Sequence, residues 1–226
     1  MDVRQERLLS ATRIMFRPIA SSLPLAMLAL AGGSIVVTGS DLKWVPTSEA
    51  HMVALIVLVF TVPLQVLSSV FGYLGRDGAG GTGPAVLSGA WAVIGATMLV
   101  SAPGHRSPAM GLLLLFLGGA LLVPVVASSF GKVGVSVTYG LALVRFVLTG
   151  VYEFHGGMGW KHASGWMGLA VCVVALYMAL ALEIEDIRHR TVLPVGRWGS
   201  GARAIGGNLL DEIEKVQREA GVREQL

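Results

Sequence analysis

The sequence predicts an all-α integral membrane protein, a bundle of six transmembrane helices with both termini on the cytoplasmic side and a short amphipathic helix at the C-terminal end. Three observations carry this. Hydrophobic residues make up 54% of the chain and charged ones only 14%, where a soluble domain carries about a quarter charged. The mean hydropathy is +0.69. The apolar residues also gather into runs of roughly 20, the length that crosses hydrocarbon as a helix.

Taken in order, the spans are expected near 18–39, 51–74, 84–102, 109–129, 132–152 and 162–182. The first contains "LAMLALAGG" after an Arg-rich start, a pattern shared with secretory leaders. Its apolar run is longer than a leader's core, and its removal would leave an odd number of spans. The second contains "VFTVPLQVLSSVFG", in which Thr61, Gln65, Ser68 and Gly72 share one helical face at i, i+4, i+7 and i+11. Such a stripe, with Ser69 beside it, either lines a wet path or grips a neighbouring helix. Pro63 within it leaves the Val59 carbonyl without its helical donor. The remaining spans follow the turn formers "GRDGAGGTGP", "SAPGHRSP", "FGKVG" and "EFHGGMGWKH", with "GSDLKWVPTSE" between the first two. Gly32, Gly33, Gly95, Gly118, Gly119 and Gly140 are expected to let helix backbones approach closely.

Orientation rests on the ends. Arg4, Arg7, Arg13 and Arg17 precede the first span, and Arg188, Arg190, Arg197 and Arg203 follow the last. The short loops carry single bases on both sides, so the terminal clusters decide, and both termini are read as cytoplasmic. Trp44 and Trp160 then fall at the opposite interface. The chain divides into a basic N-terminus over 1–17, the six-helix domain over 18–198 and a tail over 199–226. In the tail Leu209, Ile213 and Val216 share one face of a short helix.

The pI of about 9.3 comes from bases flanking the spans, so no nucleic-acid partner is expected. Cys172, the single cysteine, sits in an apolar run and reads as a small buried hydrophobe. Catalysis has little support, and neither a cofactor nor a metal is expected. His155, His162 and Glu153 lack the close helical spacing of a zinc site. "GAGGTG" has no following Lys-Ser/Thr and reads as a loop. The acids of "EIED", Glu183–Asp186, are expected to pair locally at the membrane edge, with proton handling as the alternative.

Arg145 stands apart, because a charge this far inside a span is expensive. It shares a face with Thr138, Thr149 and Tyr152. Three readings are open: snorkelling to the headgroups, a structural pair with Glu153 or a carbonyl, and a cationic element in an anion path.

From Gly165 the chain runs "GWMGLAVCVVALYMALALEIEDIRHRTVLPVG". Gly165, Trp166, Tyr177 and the run Arg190-Thr191-Val192-Leu193-Pro194-Val195-Gly196 resemble the end of the sixth helix in the acetate uptake transporter family, the YaaH-like succinate–acetate permeases. His162 matches many members. Gln65 and Trp91 stand where the family carries a Gln in helix two and a Trp in helix three, and Pro24-Leu25 stands within its entry motif. The chain departs from the family in the rest of that entry motif, which reads Ser21-Ser22-Leu23-Pro24-Leu25-Ala26-Met27, and at Thr61-Val62-Pro63 in place of an aromatic-Gly-Gly run. It departs again at the turn after helix two, where Arg76-Asp77-Gly78 replaces the usual sequence, at Gly72 in place of an acid, and at Arg145 in place of an apolar residue.

The resemblance implies a homo-oligomer, a hexamer with one path per protomer, in the plasma (inner) membrane. The implied function is passage of a small carboxylate anion such as acetate or succinate, proton-coupled or channel-like. On this reading Thr61, Gln65, Ser68 and Ser69 supply donors along the path, Trp91 and Tyr177 form constrictions, and Arg145 raises anion occupancy. The alternatives are a channel for small neutral solutes (urea, ammonia or the protonated acid) and a non-transporting membrane subunit, with a membrane enzyme last.

Overall fold

The structure is a computed structural model that describes residues 20–199, 201 and 202. The basic segment 1–17 and the expected tail helix from 203 onward lie outside the described residues. Six helices are long and apolar enough to cross a membrane: α1 (Leu23–Asp41), α2 (Thr47–Leu74), α3 (Gly78–Val100), α4 (Pro108–Ser129), α5 (Val133–His155) and α6 (Met158–Arg188). In hydrocarbon every backbone group must be satisfied within its own segment, which dictates helix for each apolar run.

Local chemistry sets the boundaries. Pro24, in the first turn of α1, needs no N–H partner there. α2, α3 and α6 each begin several residues earlier than their hydropathy suggests. The glycines of "GAGGTGP" form the first turns of α3, not a loop: the Asp77 carboxylate caps them by accepting the Gly80 N–H at 2.8 Å. At the other side, α5 continues to His155 and α6 starts at Met158, so the turn is only Gly156-Gly157, at φ +71° and +91°. These dihedrals suit glycine. α6 then runs past the expected residue 182 to Arg188.

Two helices are interrupted, each just before a proline. In α2 a π-helical turn over Val57–Thr61 precedes Pro63, and the Val62 N–H reaches back to the Val57 carbonyl. Proline clashes with the carbonyl four residues earlier; the wider turn accommodates Pro63 without ending the helix. In α4 the break at Leu121 precedes Pro124 by one turn.

The helices close into a ring in chain order, each packed on the next, with α6 packed on α1 to complete it. Trp91, Tyr139, Phe146, Met27, Leu30 and Leu87 fill the interior, while Val59, Leu112, Phe116 and Leu180 point outward into the bilayer region. Small residues sit at the tight crossings. A Cβ on Gly32, Gly33, Gly95 or Gly118 would fall within 3 Å of Phe60, Thr61, Leu58 or Val147 respectively. Gly119 and Gly140 have open space instead, so the expectation of close packing fails for those two.

The tightest backbone crossing joins α2 and α3. A Cβ at Gly72 would lie 2.5 Å from the Gly80 carbonyl oxygen, and backbone cannot rotate away as a side chain can. Gly72→Val is therefore expected to cost at least the roughly 1–3 kcal/mol of an overpacked core, read as a lower melting temperature of the purified protein. An unchanged melt would show that the crossing relaxes freely.

Candidate functional site

The ends of the helices that meet the α1–α2, α3–α4 and α5–α6 connections enclose a cavity of about 150 Å³. Its lining runs from Ser101–His105 at the exposed rim down to Trp91, Arg145 and Phe146. The floor is closed by aromatic packing: the Trp91 and Phe146 rings meet edge to face, 6.1 Å between centroids at 74°.

Arg145 is 3% exposed. It does not snorkel, and it does not pair with Glu153, whose Oε2 accepts the Ser107 N–H at 2.7 Å at the start of α4. The Arg145 Cζ lies 5.4 Å from the centre of the Trp91 ring, a cation–π arrangement, and Nη1 donates a long 3.4 Å bond to the Ser34 carbonyl. A guanidinium has five N–H donors, so most of its capacity remains for whatever enters the cavity. Glycine makes room for it: a Cβ at Gly168 on α6 would lie 2.7 Å from the Arg145 Cζ and 2.3 Å from Thr38 Oγ1. Of the residues sharing its face, Thr149 and Tyr152 also line the cavity. Thr138 lies lower on α5, donating to the Gly134 carbonyl at 2.9 Å.

The polar stripe of α2 lies elsewhere. Thr61, Gln65, Ser68 and Ser69 are all buried, and none lines the cavity. Gln65 Nε2 donates to the Ala26 carbonyl at 3.1 Å and Ser68 Oγ to the Ser22 carbonyl at 2.7 Å, both at α1. Ser69 Oγ donates to the Gly81 carbonyl of α3 at 2.9 Å. Thr61 packs against Gly33. Each serine thus spends its hydroxyl donor on a carbonyl of a neighbouring helix. Gln65 Oε1 and Thr61 Oγ1 keep no partner among the described residues, nor does Trp91 Nε1.

Gln65→Leu should accordingly remove one interhelical hydrogen bond, worth about 0.6–2 kcal/mol in membranes, and lower the melting temperature modestly. A cysteine at position 68, in a Cys172→Ser background, should resist a hydrophilic thiol reagent. Rapid labelling in a transport-competent protein would place the stripe on the path.

Tyr177 is 40% exposed, and its hydroxyl donates to the Pro194 carbonyl at 2.9 Å, so it forms no constriction at the cavity. The terminal motif is structural. Thr191 Oγ1 and Arg197 Nε each donate to the buried Glu185 carboxylate at 2.8 Å. The Val133 and Gly134 N–H groups, at the start of α5, donate to the carbonyls of Gly196 and Val195 at 3.1 and 3.0 Å. Gly196 needs φ +69° to make that turn. Glu185 therefore pairs beyond its own helix, not with the adjacent Arg188 or Arg190. Leu193 packs partly buried, and Arg190 is exposed. At the other end of α6, Gly165 meets Leu42 and its carbonyl accepts from Thr38 at 3.3 Å, while His162 and Trp166 are exposed. Pro24 is buried and Leu25 partly so. Among the described residues no group of three His, Cys, Asp or Glu side chains is placed to hold a metal.

Asp41, Phe146, Thr97 and Lys161 are among the cavity residues that the sequence reading did not single out for the site. The signal for Asp41 was an acid at the end of an apolar run, masked there by the turn formers that follow it.

This arrangement of helices has a solved counterpart. The chain shares its fold with the bacterial acetate channel SatP. The two superpose with a TM-score of 0.70 over 79% of this chain and 99% of that one, at 20% sequence identity. No family model matches the sequence, and no curated protein does. At this identity the likeness establishes the fold alone.

Proposed function

We propose that the chain forms a membrane path for small carboxylate anions. The observation that carries this reading is Arg145, a guanidinium buried at the floor of a cavity of about 150 Å³ with one long hydrogen bond among the described residues. A fixed cation with most of its donors left unused attracts carboxylates, which its planar fork can hold through two bonds. The volume holds about five waters and is below the roughly 300 Å³ of the smallest drug-sized sites, which favours a ligand of a few heavy atoms. The fold shared with an acetate channel and the resemblance to acetate uptake transporters point the same way. The homo-oligomer, its hexameric form and the plasma-membrane location are part of this proposal.

The test is uptake of labelled acetate, succinate and urea into proteoliposomes, with and without a pH gradient. Acetate should enter faster than urea, and acceleration by the gradient would add proton coupling. Equal rates for acetate and urea would instead favour the neutral-solute channel, and no flux at all a non-transporting subunit.

The cavity faces outward if both termini are cytoplasmic. Cysteines placed at positions 5 and 220 should then escape an impermeant reagent on intact cells. Ready labelling of either would reverse the orientation of the cavity.

A further inference from the structure

The cavity that holds Arg145 also holds acids. Arg145, Lys161, Asp41 and Glu153 all line it, two cations and two carboxylates. Glu153 is engaged by the Ser107 N–H at 2.7 Å, and Lys161 lies with Nζ 5.8 Å from the centre of the Tyr152 ring. Asp41 differs from Glu153. Among the described residues no group donates a hydrogen bond to its carboxylate, and no cation lies within 4.0 Å of it. Arg145 and Asp41 thus face one small space from α5 and α1 without forming an ion pair.

A simple anion binding at Arg145 would enter against the field of Asp41. A ligand that carries a cation at its other end turns that repulsion into attraction. We propose that the cavity binds a small zwitterion, an amino acid of the size of glycine or alanine, with its carboxylate on Arg145 and its ammonium on Asp41. This rests on the carboxylate reading above and narrows it to carboxylates that bear an amine. Three features support the assignment. The cavity's formal charges sum to zero, so a net-neutral ligand leaves them balanced. Arg145 and Asp41 both line the cavity with their charged groups more than 4.0 Å apart, beyond ion-pair contact. Val37, one turn before Asp41 on α1, and Ile94 of α3 line the same space and offer an apolar surface to a methyl group.

The test is equilibrium binding to the purified full chain of radiolabelled alanine and of propionate, which keeps the carbon skeleton and carboxylate but lacks the ammonium, with ethylamine as competitor. Alanine is expected to bind at least about tenfold more tightly than propionate, the size of one charge-assisted hydrogen bond. Asp41→Asn should weaken alanine by a similar factor and strengthen propionate, opposite changes that a folding defect cannot produce. Arg145→Leu should lose both ligands. Propionate binding as tightly as alanine would overturn the zwitterion and leave the carboxylate reading standing. Failure of both ligands to bind the unsubstituted protein would overturn both readings, as would displacement of alanine by ethylamine as effective as by alanine itself.

Discussion

Replacing Arg145 with Leu is expected to cut carboxylate flux by about 10- to 100-fold while leaving the protein at least as stable as before. The two halves follow from different terms. A hydrogen bond to a charged group contributes about 1.5–3 kcal/mol, and each 1.4 kcal/mol is about tenfold in occupancy, so loss of the guanidinium empties the cavity of anions. Stability moves the other way. A charge near the middle of a span costs about 2.5–3.5 kcal/mol on insertion scales, against about 0.5–2 kcal/mol regained from the Trp91 face. Leucine removes both. Arg145→Lys should fall between, because an ammonium keeps the charge but lacks the planar fork. The measurement is acetate uptake beside urea uptake and a thermal melt of the same preparation. Acetate flux lost with urea flux and melting temperature preserved is the expected result. Loss of both fluxes with a lowered melt would mean misfolding, and unchanged acetate flux would remove Arg145 from the path.

Arg145 also shows how much the sequence could and could not convey. Hydropathy located all six spans, because segment length and apolar content are set by the bilayer and can be counted. It could not say which way Arg145 turns. That depends on Gly168, on another helix, leaving space beside Thr38, and on Ser34 and Trp91 arriving from two more helices. The same limit applies to Asp41, whose significance comes entirely from sharing a cavity with residues more than a hundred positions away.

The stripe of α2 was correct as a face and open as to its role. Period 3.6 placed Thr61, Gln65, Ser68 and Gly72 together, and all four are buried. Whether a buried polar face is wet or packed depends on where the neighbouring carbonyls lie, and those of Ser22, Ala26 and Gly81 lie within reach of it. The glycine-rich start of α3 failed for a related reason. Glycine is a poor helix former in water, but here it permits the contact of Gly72 with Gly80, and that packing outweighs propensity. The π-turn in α2 follows from Pro63, although proline alone does not distinguish a widened turn from a kink.

The largest loss of stability is expected from Glu185→Ala. Its carboxylate is 5% exposed and binds the Arg197 guanidinium, itself 12% exposed, and the Thr191 hydroxyl. Through Arg197 it fixes the segment whose Val195 and Gly196 carbonyls take up the first N–H groups of α5, which otherwise have no helical partner. Trp198 extends the same contact by donating to the Ser129 carbonyl at the end of α4. Removing one member of a buried pair costs about 3–5 kcal/mol, because the other is left as an unpaired charge. The melting temperature should therefore fall steeply, and trypsin should cut at Arg197 sooner than in the unsubstituted protein. Replacing both partners separates charge from packing. Glu185→Leu combined with Arg197→Met leaves no orphaned charge, and such exchanges are often neutral, so most of the lost stability should return. A melt that is unchanged in Glu185→Ala would mean that the backbone bonds to α5 hold the segment without the ion pair. If the double variant stays as unstable as the single one, the hydrogen bonds to Glu185, including that from Thr191, carry the effect rather than the charge.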